Sequence, residues 1–90
     1  NEPRIPFGWL VERGLLEPGT VLSDTRNRHT AKVRADGSII SSQHRGSIHR
    51  VGALVQDTPA CNGWTFCHVN VEAKKIPIDI LRQKLRAEIH

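Results

Sequence analysis

Residues 45–50 read Arg-Gly-Ser-Ile-His-Arg and residues 62–66 read Asn-Gly-Trp-Thr-Phe. These residue types suit the holding of an anion or a base more than the making or breaking of bonds. Ser47 is a favoured helix N-cap. The first turn of a helix leaves backbone N–H groups unpaired at the positive end of its dipole. Acidic side chains usually complement that end, but here Arg45, His49 and Arg50 crowd it. An external phosphate would relieve the excess charge. The plainer reading is that Ser47 only caps, and that the three cations are solvated or paired with Asp24, Asp36 or Asp57.

Asn62-Gly63 has the chemistry of a tight turn, and the Asn62 amide can also bond a base edge or a phosphate. Trp64 suits a core anchor or a platform for an unpaired base. Arg82 flanks an apolar helical stripe and is expected to be half covered. It reads as a snorkelling side chain or as a guanidinium held in place by Asp79. Arg26 and Arg28, with His29, fall in a turn between two expected strands, and Lys32 and Arg34 lie on a polar strand face. Together they could extend the cations near Ser47 into one stripe.

Bond-making chemistry has little to work with. The chain has no glycine-rich phosphate loop, dinucleotide fingerprint, HExxH pattern or Ser-His-Asp order. The nearest approach to a metal set is Cys61, Cys67 and His68, with His44 or His49 as a fourth ligand. Structural zinc favours closely spaced cysteine pairs, and these two cysteines are six residues apart. Cys67 and His68 are neighbours on an expected strand and so face opposite ways. The cysteines are therefore read as small apolar side chains, and no metal is expected.

The elements that must position these residues follow from periodicity. Pro6 suits the first turn of a helix, and Phe7, Leu10, Val11, Gly14 and Leu15 then share one face. Trp9 projects from the opposite side and is expected to be exposed, awaiting a partner surface. Residues 20–24 read as a short strand, and residues 29–35 alternate with Ala31, Val33 and Ala35 on one side. Asp36-Gly37 is a two-residue hairpin signal leading into residues 38–41. Residues 47–56 read as a helix with Ile48, Val51 and Val55 as its stripe. Residues 64–71 read as a strand, with Trp64 and Phe66 on one face. The last helix is expected over residues 76–89, with Ile78, Leu81, Leu85 and Ile89 inward. The order α-β-β-β-α-β-α implies an α+β fold, a small antiparallel sheet packed with three helices.

A chain of 90 residues suits one domain, and 38% hydrophobic with 24% charged residues suits a globular one. The net charge of +4 favours polyanionic partners. No apolar run is long enough to cross a bilayer and no signal-peptide pattern appears. Two cysteines are too few for a disulfide scaffold, which fits a reduced cytosolic setting. The opening Asn-Glu-Pro-Arg and the absence of Met are read as a piece of a longer protein.

The blocks GLLEPGTVLSDTRNRHTAKVRADGSI, GSIHRVGALVQDTPACNGWTF and PIDILRQKLRAEI carry a resemblance over nearly the whole chain. It resembles the C-terminal domain of the cell-cycle-regulated DNA adenine methyltransferases of alphaproteobacteria, and is similar to the RAMA domain. The resemblance implies that residues 1–90 form a C-terminal accessory domain that helps a methyltransferase bind DNA at GANTC sites. The parent would use S-adenosylmethionine and act as a dimer that opens the duplex. The catalytic Asp-Pro-Pro-Tyr motif is absent here, so the cofactor and the chemistry would belong to the catalytic domain of the parent. By position, the family's DNA-linked residues fall on Ser47, Asn62, Trp64 and Arg82. Cys67 stands where the family is expected to have an aromatic residue. The implied partners are DNA, the catalytic domain of the same chain and a second subunit, in the bacterial cytoplasm at the nucleoid. The rival reading is a protein-interaction module that docks on the catalytic domain or second subunit, with Trp9 on its surface.

Overall fold

The computed structural model describes residues 4–89. Along the chain run α1 (Phe7–Glu12), β1 (Val21–Ser23), β2 (Thr30–Val33), β3 (Ile39–Ile40) and β4 (Arg45–Gly46). They are followed by α2 (Ile48–Gln56), α3 (Gly63–Phe66), β5 (His68–Val71), β6 (Lys74–Pro77) and α4 (Asp79–Glu88). The strands form one sheet in the order β4-β3-β2-β1-β5-β6, every pair antiparallel. The fold is α+β, and the expected elements occur in the expected order. Three short elements are added to them: β4, α3 and β6.

The turns show why the sheet folds this way. The Asp24 carboxylate accepts N–H bonds from Arg26 (3.2 Å) and Arg28 (2.8 Å), so the β1–β2 turn is built on its first side chain. Lys75 Nζ clamps that turn from β6, donating to Asp24 O (3.1 Å) and Asn27 Oδ1 (2.5 Å). Between β2 and β3 the hairpin forms where Asp36-Gly37 marks it, but its loop has three residues rather than two. Arg34 N–H bonds Ser38 O at 2.8 Å and Gly37 N–H bonds Arg34 O at 3.1 Å. Gly37 takes φ +85°, the positive-φ residue that completes a three-residue loop. A Cβ on Gly37 would stand 2.8 Å from Gly8 Cα, so the turn also lies directly on α1. The alternation in β2 places Ala31 and Val33 inward, whereas Ala35 falls in the turn and is exposed.

Two boundaries differ from the sequence reading. The expected strand over residues 64–71 begins only at His68, because residues 63–66 make a helical turn. The Asn62 carbonyl oxygen Oδ1 accepts the Trp64 N–H at 3.1 Å and caps that turn. Gly63 packs so closely on α2 that a Cβ there would lie 2.6 Å from the Ile48 carbonyl carbon. The cap and this close approach prevail over the β preference of Trp-Thr-Phe. Trp64 and Phe66 therefore do not share a strand face. Ile76 and Pro77 belong to β6 rather than to the last helix. The β5–β6 hairpin turns on Glu72 and Ala73, both at positive φ (50° and 68°), without the Gly or Asn that would announce such a turn.

Leu10, Leu22, Val33, Ile39, Ile48, Ile78 and Leu85 form the sealed centre between helices and sheet. Ile78, Leu81 and Leu85 supply the inward stripe of the last helix, with Ile89 packed at its margin. Trp9 is half-buried and packs on the edge of this core. It is thus not the freely exposed ring that its place on the helical wheel suggests. Among the described residues no helix is long and apolar enough to cross a membrane.

Candidate nucleic-acid interface

Helices α2, α3 and α4 meet around Trp64. Ser47 has extended backbone and caps α2, its Oγ accepting the Arg50 N–H at 3.1 Å. No acidic residue lies in the first turn of α2. Arg45, Ser47, His49 and Arg50 are all exposed. None of Arg45, His49 and Arg50 forms an ion pair with a carboxylate among the described residues. Asp24 serves its own turn, and Asp57 closes α2 in the left-handed conformation. Asp36 accepts from Ser38 Oγ (2.6 Å) and Ser38 N–H (2.9 Å). Those two bonds, with smaller help from the charges of Arg34 and Arg45, hold its carboxyl below the usual range.

His49 is tied to α3. Its Nδ1 accepts the Gly63 N–H at 2.9 Å, and its ring stands edge-on to Trp64 with centroids 6.5 Å apart. Trp64 is only 7% exposed. Phe7 of α1 packs on it at 6.1 Å between centroids, tilted by 59°. The Arg82 guanidinium lies 4.5 Å from its ring centroid, within the range of a cation–π contact. Arg82 also pairs with Asp79 on the preceding turn of α4, and its side chain is 26% exposed. Asp79 Oδ2 accepts in addition from Gln83 Nε2 at 2.8 Å. The half-covered, Asp79-held guanidinium is thus what forms. Trp64 is not a platform open to a base. Its buried indole instead sets the positions of His49 and Arg82.

Asn62 is exposed. Its Oδ1 is spent on the cap, while its amide NH2 has no partner among the described residues. Ser47, His49 and Trp64 share the lining of a groove with Arg4, Phe7 and Gly8. Arg26 and Arg28 are exposed in the β1–β2 turn. Arg28 lines a different groove, with His29, His44 and Leu54 beside the C-terminal half of α2. The structure therefore gathers Ser47, His49, Asn62, Trp64 and Arg82 into one region, and places Arg28 at the other end of α2.

Both thiols are held above the ordinary thiol value. Burial pushes Cys67 up to about 12, helped by the nearby Cys61. Burial also raises Cys61, opposed by the Gln56 amide that donates to its sulfur at 3.3 Å. Among the described residues no three His, Cys, Asp or Glu side chains come together as a metal set.

Two members of the site escape sequence reasoning. Phe7 meets Trp64 from the other end of the chain, and the His49–Gly63 bond joins residues 14 apart. Neither has a local signature, since both depend on how α1 and α3 dock.

The family model described as Restriction Enzyme Adenine Methylase Associated (RAMA) matches residues 1–90. The type II methyltransferase M.HinfI of Haemophilus influenzae is 28% identical over 80 residues, covering 89% of this chain and 22% of that protein. The chain thus spans about a fifth of the length of this curated relative.

Proposed function

The chain belongs to the RAMA family, and on that footing we propose that it is a non-catalytic DNA-binding domain of a DNA adenine methyltransferase. The observation that carries the reading is the start of α2, where Arg45, His49 and Arg50 stand exposed around the helix N-terminus and no acid answers them. A DNA phosphate at this end would meet the first-turn N–H groups, the Ser47 hydroxyl and the two guanidinium groups together. The free NH2 of Asn62 and the oriented guanidinium of Arg82 extend the surface across α3 and α4. Arg26 and Arg28 would add diffuse attraction from the sheet turn.

The finer parts of the reading come from the sequence resemblance. The domain sits at the C-terminus of its parent, and the parent methylates adenine in GANTC sites as a dimer. S-adenosylmethionine is held by the catalytic domain, since this chain has neither the Asp-Pro-Pro-Tyr motif nor a glycine-rich cofactor loop. The relative, a type II methyltransferase, agrees with that parentage.

A second reading is a docking module for the catalytic domain or a second subunit. The exposed side chains of Val21, Leu54, Val71 and Ile80 favour it. Salt separates the two. Gel shifts with single-stranded and duplex GANTC oligonucleotides, and scrambled controls, are expected to show binding that weakens steeply as salt rises, because counterions are released. Absence of binding, or affinity indifferent to salt, rejects the DNA reading and favours docking. Loss of the GANTC preference alone rejects only the site assignment.

A further inference from the structure

We infer that His49 acts as a neutral hydrogen-bond donor, offering Nε2–H to an acceptor atom of the bound nucleic acid, and not as a cation. The inference rests on the DNA-binding reading above and deepens it. Gly63 N–H points at His49 Nδ1 across 2.9 Å, so the Nδ1 lone pair is occupied. The proton of a neutral imidazole must then sit on Nε2. Nε2 has no partner among the described residues, and the ring is exposed.

A second proton could go only to Nδ1, where it would confront another donor. Gly63 is buried, and His49 is the only acceptor its N–H has among the described residues. Nor has Gly63 room to turn away, because its backbone lies against Ile48. A proton on Nδ1 therefore opposes the α2–α3 contact. The charged groups near the ring are Arg4 at the groove, Arg50 next on α2, and Arg82, which covers the Trp64 ring that His49 touches and is itself paired with Asp79.

The helix start has the same preference. A further cation there would oppose the dipole, whereas a neutral donor would not. Ser47 behaves alike. Its oxygen accepts the Arg50 N–H, which leaves its O–H to donate. Ser47 and His49 line the same two grooves and make a pair of neutral donors between the flanking arginines. The shared chemistry of the ligand is an acceptor oxygen or nitrogen, from a phosphate or from a base edge.

Nitrogen-15 NMR of the histidine rings reads the tautomer with no DNA present. At about pH 7.5, above the ordinary imidazole range, His49 is expected to carry its proton on Nε2 with Nδ1 bare. A proton on Nδ1 overturns the inference and leaves the DNA-binding reading standing. For binding, His49→Gln keeps an acceptor for Gly63 and a donor for DNA. It is expected to stay within about threefold of the parent. His49→Arg adds charge but removes the acceptor, and is expected to lose about tenfold or more, on the scale of a broken hydrogen bond to a charged group. Circular dichroism and a thermal melt check that each variant is folded. A folded His49→Arg protein that binds as well as His49→Gln overturns the inference. If the parent binds no DNA at all, the inference falls together with the DNA-binding reading. Methylphosphonate linkages and 7-deazapurines locate the acceptor. The parent's advantage over His49→Ala should vanish with methylphosphonates when a phosphate oxygen is the acceptor and with 7-deazapurines when a purine N7 is, and no advantage over His49→Ala on unmodified DNA overturns the donor role.

Discussion

The guanidinium of Arg82 lies 4.5 Å from the centroid of the Trp64 ring. One residue is buried and the other half-covered, and they come from α3 and α4. The contact fastens the last helix to the turn that carries Asn62, while Asp79 holds the guanidinium from its own helix. A core anchor and the cation proposed to face DNA are thus mechanically one unit.

That unit can be taken apart by substitution. Trp64→Ala removes a buried ring and is expected to cost about 3–5 kcal/mol, a large fraction of the stability of a small domain. Trp64→Phe should stay folded and bind DNA more weakly, because a smaller ring positions Arg82 less firmly. Arg82→Lys keeps the charge but loses the planar fork that stacks and pairs. Its loss of affinity should persist in moderate salt. Thermal melts and gel shifts at matched salt check both variants, and parental affinity in the two folded proteins would return these residues to the scaffold.

Ser47 caps α2 and is proposed to contact a phosphate as well, and two variants separate the two roles. Ser47→Ala should lose about 1 kcal/mol of stability and also affinity for DNA. Ser47→Asp keeps a capping oxygen but sets a negative charge where the phosphate would bind. It is expected to melt no lower than the parent and to bind markedly more weakly. Parental affinity for Ser47→Asp would remove the phosphate from this position.

Gly63 has no room for a side chain. The Cβ of Gly63→Ala would stand 2.6 Å from the Ile48 carbonyl carbon and 2.7 Å from Ile48 Cγ1. Because backbone is involved, relief requires α3 to move off α2, at a cost of about 1–3 kcal/mol or more. Urea unfolding measures the loss, and NMR of His49 should show its bond to Gly63 weakened. A Gly63→Ala protein of parental stability would mean that α3 docks more loosely than the structure shows.

Cys67 offers a pH test. Its folded value, about 12, lies above the ordinary thiol value of about 8.5. The unfolded chain therefore releases this proton first. The resulting stability is fully present below about pH 8.5 and is lost as pH climbs toward 12. Cys67→Ala should lose less stability than the parent over that alkaline span, as read by melting temperature against pH. In the native protein near neutral pH, Cys67 should resist alkylation and react only on unfolding, whereas the half-buried Cys61 should label slowly. Rapid labelling of Cys67 in the folded state would contradict its burial.

Much of this protein is legible in short stretches of its sequence. Ser47 before an apolar stripe announces α2, alternation through Ala31 and Val33 announces β2, and Ile78, Leu81 and Leu85 announce α4. Each signal is local, a cap or a period that one element satisfies by itself. The residue types of Ser47, Asn62, Trp64 and Arg82, with the resemblance they carry, also point to a candidate site. What they do to one another depends on packing between distant segments. Trp64 is in a helical turn because Asn62 caps it and Gly63 fits against Ile48, and a β-favouring Trp-Thr-Phe cannot reveal that. Glu72 and Ala73 accept positive φ because the pairing of β5 with β6 requires it, against their own preferences. His49 looks in the sequence like one more cation. Only the arrival of the Gly63 N–H at its Nδ1 sets the ring's tautomer, since a hydrogen bond between two elements exists only once both have docked.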